Sequence, residues 1–145
     1  MYRLVTLVLL LAAHGAYASC ELTISAPDLL QYDKTELEVS RSCGTVKLTL
    51  NHTGKLPKNV MGHNWVLSRP EDLSSVAQDG MRAGPNNSYV APGDKRVIVF
   101  TDIIGGGEST NVEFSVSDLA DGDYAYYCTF PGHWTIMKGI LKITT

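Results

Sequence analysis

The chain has 145 residues, 44% of them hydrophobic and 19% charged, which suits one domain with a substantial core and excludes a disordered polyelectrolyte. Twelve basic and 15 acidic side chains leave a formal net charge of −3. With no Lys/Arg run or basic stripe, nucleic acid is a poor candidate partner.

Taken in order, the chain opens with a targeting signature. Met1-Tyr2-Arg3 carries one positive charge, Leu4 to Ala13 is an apolar run, and Ala16-Tyr17-Ala18 fits the small-x-small pattern of a signal-peptidase site. The run is too short to span a bilayer, so no membrane insertion of the mature chain is expected. Residues 1–18 are therefore predicted to be a cleaved signal peptide and residues 19–145 a single domain of net charge −4, without Arg3 and His14. Acylation of Cys20 is the competing reading, disfavoured because Tyr17 stands where a lipoprotein signal usually has Leu.

The mature region reads as short strands separated by turn residues. Leu22 and Ile24, Leu37 and Val39, then Val46, Leu48 and Leu50 alternate with polar neighbours at period two. Asn64 to Leu67 is another strand. Arg96-Val97-Ile98-Val99-Phe100 is a continuous apolar run that suits a strand buried on both sides. Val112, Phe114 and Val116 alternate again, Tyr124 to Cys128 follows the turn Asp121-Gly122-Asp123, and Ile140 to Ile143 closes the chain. About eight such strands predict an all-β, Greek-key β-sandwich. One segment breaks the pattern: Pro70-Glu71-Asp72 begins a short helix packed outside the sandwich, with Gly80 and Gly84-Pro85 as stops. Gly105-Gly106-Gly107 lacks the Lys-Ser/Thr of a phosphate loop and reads as a flexible connection. Asn51-His52-Thr53 and Asn86-Asn87-Ser88 fit a glycosylation pattern that carries little weight here.

Chemistry concentrates near the C-terminus. Cys128-Thr129-Phe130-Pro131-Gly132-His133-Trp134-Thr135-Ile136-Met137 holds a thiol, an imidazole and a thioether, with no charged side chain, around a Pro-Gly turn. A one-electron copper site must accept Cu(I), which favours sulfur, and Cu(II), which favours nitrogen; a His₂Cys set with a weak axial Met serves both. Cys128, His133 and Met137 supply three such ligands, and His63, in Val60-Met61-Gly62-His63-Asn64-Trp65, is the best candidate for the fourth. Singly, a Cys is often a small buried hydrophobe, a His a hydrogen-bonded residue and a Met a gap filler. Cys-x₄-His-x₃-Met ahead of a final strand is far more specific. Three Cys in an exported chain would be one pair plus one left over. Cys20 and Cys43 sit near the ends of the first two predicted strands, where a bridge could tie the N-terminus down. Cys128 is the odd thiol, open to oxidation unless a metal occupies it.

At these residues the chain resembles the azurins, small blue-copper proteins of bacteria. Leu56 to Ser68, Cys128 to His133 and Met137-Lys138-Gly139 carry the resemblance, which extends from about Cys20 to Lys142. Plastocyanin-like relatives usually have a Cys-to-His gap of two residues. The resemblance implies a cupredoxin-like fold, one copper ion, a periplasmic one-electron carrier rather than an enzyme, and the Cys20–Cys43 pairing. It also implies that the Gly62 carbonyl approaches the metal opposite Met137, and that Asn64 ties the His63 loop to the ligand loop near Thr129. Backbone N–H groups of Asn64 and Phe130 would point at the thiolate. His133 would reach the surface through an apolar patch drawn from Leu30, Leu56, Val60, Met61, Met81, Phe130, Pro131 and Ile136. His52 matches a buried non-ligand histidine near the copper, where protonation could couple to redox state; a satisfied core His explains it equally well. Trp65 is expected to pack rather than react. Implied partners are redox proteins such as a cytochrome c, a nitrite reductase or an amine dehydrogenase.

Three other functions use the same residues. A cysteine hydrolase would take Cys128 as nucleophile, His133 as base and Asn64 as orienting group, but it leaves Met137 without a role and supplies no oxyanion site. Copper storage or delivery would use the same ligands, although the chain has only four Met. A structural zinc site is disfavoured because Met is a poor zinc ligand.

Overall fold

The structure, a computed structural model, describes residues 20–145. The predicted signal peptide, residues 1–18, lies outside the described residues. Among the described residues, eight strands form two sheets: β1 (Glu21–Ala26), β2 (Glu36–Ser40), β3 (Thr45–His52), β4 (Val66–Ser68), β5 (Val97–Phe100), β6 (Ser109–Ser115), β7 (Tyr124–Tyr127) and β8 (Lys138–Thr144). One sheet has the order β1-β3-β6, the other β2-β8-β7-β4-β5. The chain crosses from the first sheet to the second after β1 and back after β2. As a result β1 runs parallel to β3, and β2 parallel to β8, while the other pairings are antiparallel.

Period-two patterning puts one face of each strand inward. Leu22, Ile24, Val46, Leu48 and Leu50 from the small sheet meet Leu37, Val39, Leu67, Tyr126 and Leu141 from the large one, with Trp65 among them. Trp65 packs between Tyr126 and Phe114, and its Nε1 is the one fully buried side-chain nitrogen or oxygen without a partner among the described residues. Gly139 faces Tyr126 across the β7–β8 pair; a Cβ there would strike the phenol ring, whose hydroxyl donates to the Lys34 carbonyl.

The external helix follows a 3-10 turn at Pro70–Asp72 and runs as α2 from Leu73 to Ala83. It continues through Gly80 and stops at Gly84, which takes φ +78°. Gly80 is needed for contact, not termination: a Cβ there would run into the Tyr89 backbone. Val76 and Ala77 cover Val66, Ala125 and Tyr127 on the outer face of the large sheet.

That cover corrects the reading of the 96–100 run. The strands buried on both sides are the central β4 and β7, between the core and α2. β5 is an edge strand, with Ile98 and Phe100 exposed, Val99 packed on the core and Val97 on the cluster under α2. Four apolar residues in a row therefore mark an edge here, not a centre. A second departure is α1 (Lys58–Met61), a single turn between Pro57 and Gly62 that was not expected.

Cys20 and Cys43 form a disulfide with a Cα–Cα distance of 5.4 Å. With its sulfur in that bond, Cys20 has none free for a lipid thioether.

Candidate metal centre

Two segments far apart in sequence meet at one pole of the sandwich. The first, residues 62–65, links α1 to β4. His63 exchanges both backbone hydrogen bonds with Ile104, at 3.0 and 2.9 Å, and the Thr101 hydroxyl accepts the Trp65 N–H. The Gly105–Gly107 turn supports this segment by close approach. Gly105 packs on the Lys58 backbone and Gly106 on that of Lys55, with no room for a Cβ, while Gly106 N–H donates to Leu56 and Gly107 N–H to His52. The glycine triplet is a packed, hydrogen-bonded brace, not a loose connection.

The second segment is the turn between β7 and β8. Cys128 N–H donates to the Met137 carbonyl, Met137 N–H to His133, and His133 N–H to Phe130. Gly132 takes φ +84°, a conformation most side chains disfavour, and lets the chain reverse between Cys128 and His133.

Asn64 joins the two segments. Its Oδ1 accepts Thr129 N–H at 2.9 Å, and its Nδ2 donates to Thr129 Oγ1 and to the Ser88 carbonyl, each at 2.8 Å. Ser88 sits in the left-handed region at φ 52°, which aims that carbonyl. Nothing in the sequence singles out Ser88, because a backbone acceptor leaves no side-chain signature.

His63 and His133 present Nδ1 to Cys128 Sγ at 3.9 and 3.6 Å, and the three donor atoms lie within 4.8 Å of one another. All three residues are buried. A first-row ion bound in a trigonal plane, with bonds of roughly 2.0 to 2.3 Å, would hold such donors about 3.6 to 3.8 Å apart. The donor set thus fits one thiophilic ion. The Gly62 carbonyl lies 3.9 Å from Sγ, and Met137 is fully buried in the same cluster as Cys128. The N–H groups of Asn64 and Phe130 point at the sulfur.

Burial governs the protonation of the site. It pushes the Cys128 thiol up to about 12, against the pull of those two N–H groups, and it lowers both His63 and His133 to about 4. His63 Nε2 lies 2.8 Å from the Pro27 carbonyl; a carbonyl only accepts, so Nε2 carries the proton and Nδ1 keeps its lone pair. His52 stacks on His63 with ring centroids 4.5 Å apart. Both His52 nitrogens are engaged, Nδ1 accepting Gly54 N–H and Nε2 donating to the Met61 carbonyl.

Of the predicted patch residues, Leu56, Val60, Met81, Pro131 and Ile136 are exposed, while Leu30, Met61 and Phe130 are half-buried. Leu29, also exposed, was not anticipated. A buried, neutral thiol does not suit a hydrolase nucleophile, and a surface cleft along β5, lined by Val90, Pro92, Ile98 and Phe100, leads nowhere near it.

A two-sheet sandwich that carries two imidazole Nδ1 atoms and one buried thiol at a single pole is a cupredoxin domain with one copper centre. The family model described as "Copper binding proteins, plastocyanin/azurin family" matches residues 18–144. Azurin-1 of Alcaligenes xylosoxydans xylosoxydans is 53% identical over 127 residues, covering 87% of this chain and 98% of that one. Azurin of Bordetella pertussis is 50% identical, over 87% of this chain and 85% of its own. The solved structure of azurin iso-2 from Methylomonas sp. strain J superposes with a TM-score of 0.85 at 46% identity, over 88% of this chain and 100% of that chain. The chain belongs to the plastocyanin/azurin family of copper-binding proteins.

The lowered histidines set a pH dependence for the metal-free fold. Between the ordinary His value of 6.5 and about 4, the unfolded chain binds protons that folded His63 and His133 refuse. Stability is therefore full above 6.5 and falls as the pH drops through this window. Urea unfolding of metal-free protein is expected to show a lower midpoint at pH 4.5 than at pH 7, and His63→Gln/His133→Gln is expected to flatten that difference.

Proposed function

We propose that the protein is exported to the periplasm, processed after Ala18, and there carries single electrons between partner redox proteins by way of His133. Its family makes it a copper electron carrier and not an enzyme. Within that class, one observation carries the finer reading: His133 turns Nδ1 to Cys128 while its ring keeps contact with the surface. It is 4% exposed.

His63, Cys128 and His133 would hold the copper, with Met137 and the Gly62 carbonyl as weaker donors close by. Bound there, copper supplies a Cu(I)/Cu(II) couple that both imidazole and sulfur donors tolerate. The protein's part is to keep the same donors in place for both states and to exclude water from them. Apolar side chains near the His133 edge favour a docking face: Ile136 is 66% exposed and Val60 53%. Met81 is exposed too, and its neighbour Gly80 packs on Tyr89, whose ring meets Phe130. Redox encounters of this kind bury little area and dissociate fast. A cytochrome c, a nitrite reductase or an amine dehydrogenase fits such a face as donor or acceptor.

Met61→Glu and Met81→Glu are expected to slow electron self-exchange by about tenfold or more, because two copies would bring like charges together. The visible copper spectrum should stay unchanged, and a large spectral change would overturn the division between docking face and centre. Mass spectrometry of the periplasmic fraction should find a chain beginning at Ser19. A chain retaining residues 1–18, or one confined to the cytoplasm, would overturn the export reading.

A further inference from the structure

We infer that Asp28 is a positioning residue, which holds the Pro27 carbonyl against His63 Nε2–H and so reserves His63 Nδ1 for the metal. The inference rests on the reading of His63 as a copper ligand.

A ligating histidine needs its other ring nitrogen occupied, since that bond selects the tautomer and the ring orientation. Here the occupant is a backbone carbonyl in a turn. The turn is fixed upstream, where β1 pairs with β3 and Thr53 N–H donates to Ala26, and downstream, where Asp33 N–H donates to Ser25 and the Tyr32 hydroxyl to Asn64. Pro27 itself has no N–H to give. Among the described residues, the only hydrogen bonds that hold residues 28–31 are made by the Asp28 carboxylate. Its Oδ2 accepts Lys55 N–H at 2.8 Å and its Oδ1 accepts Leu56 N–H at 3.1 Å.

Those two bonds staple the Pro27 turn to the loop that follows β3. The same loop carries Gly54, whose N–H fixes the tautomer of His52 against the His63 ring. Gly54 also makes the staple possible, because a Cβ at that position would overlap the Asp28 carboxylate. The Gly54–Asp28 fit is thus a second, independent handle on the same carbonyl. The two N–H donors keep Asp28 ionised, its pKa lowered first by the bond from Lys55.

The test compares wild type with Asp28→Ala, Asp28→Asn and Gly54→Ala, each checked for folding by amide dispersion. The ring nitrogens of His63 are followed by ¹H–¹⁵N correlation in metal-free protein at pH 7, and Cu(I) affinity is measured by competition. Wild type should show His63 as a single Nε2–H tautomer. Asp28→Ala and Gly54→Ala should each show a mixture with the Nδ1–H form and lose about 10- to 100-fold in affinity. Asp28→Asn, which keeps one acceptor oxygen, should fall between. The double variant should lose no more than the stronger single one, since both act through one contact. If Asp28→Ala unfolds, Gly54→Ala and Asp28→Asn carry the comparison, because both retain an oxygen acceptor at position 28. A lone Nε2–H tautomer with wild-type affinity in the folded variants would overturn the role of Asp28 alone. Wild-type His63 signals that do not move on adding Cu(I) would overturn the ligand reading, and this inference with it.

Discussion

The metal centre depends on one amide side chain. Cys128 and His63 are 65 positions apart, and the direct bridge beside the donors is Asn64, with both of its polar atoms on Thr129. Two bonds to one residue fix an orientation as well as a distance, and the third, to Ser88, ties the pair to the segment after α2. A chain that must present the same donors to two oxidation states gains from such rigidity, because any rearrangement between the states slows the electron.

The surroundings of the donors work in the same direction. Desolvation keeps the thiol protonated and both imidazoles neutral in metal-free protein, so a thiophilic ion competes with a proton at Cys128 alone. The two histidines then differ in what lies behind them. His63 backs onto the Pro27 carbonyl, inside the protein, whereas His133 packs on the half-buried Phe130 ring and is 4% exposed.

Much of this was legible in the sequence, for physical reasons that differ by element. The alternation at Val46, Leu48 and Leu50 is readable because each strand has one buried face. The spacing Cys128, His133, Met137 is readable because soft, nitrogen and thioether donors rarely fall together without a metal. Edge position is not readable from Val97 to Phe100, since it depends on what pairs beyond the strand. Gly80 looks like a stop until the Tyr89 backbone is seen against it, and Gly105–Gly107 look loose until Lys55 and Lys58 are seen beneath them. A single turn such as α1 is too short to show a period. The acceptors Pro27, Ser88 and Ile104 act through main-chain oxygens, and their side chains carry no trace of it.

The most direct measurement is the visible absorption of the mature protein after adding Cu(II), beside a Cys128→Ser control. The account predicts an intense band toward the red from a short copper–thiolate bond, bleached reversibly by reductant and absent from the control. A protein that stays colourless with Cu(II), or a band that survives in Cys128→Ser, would contradict it.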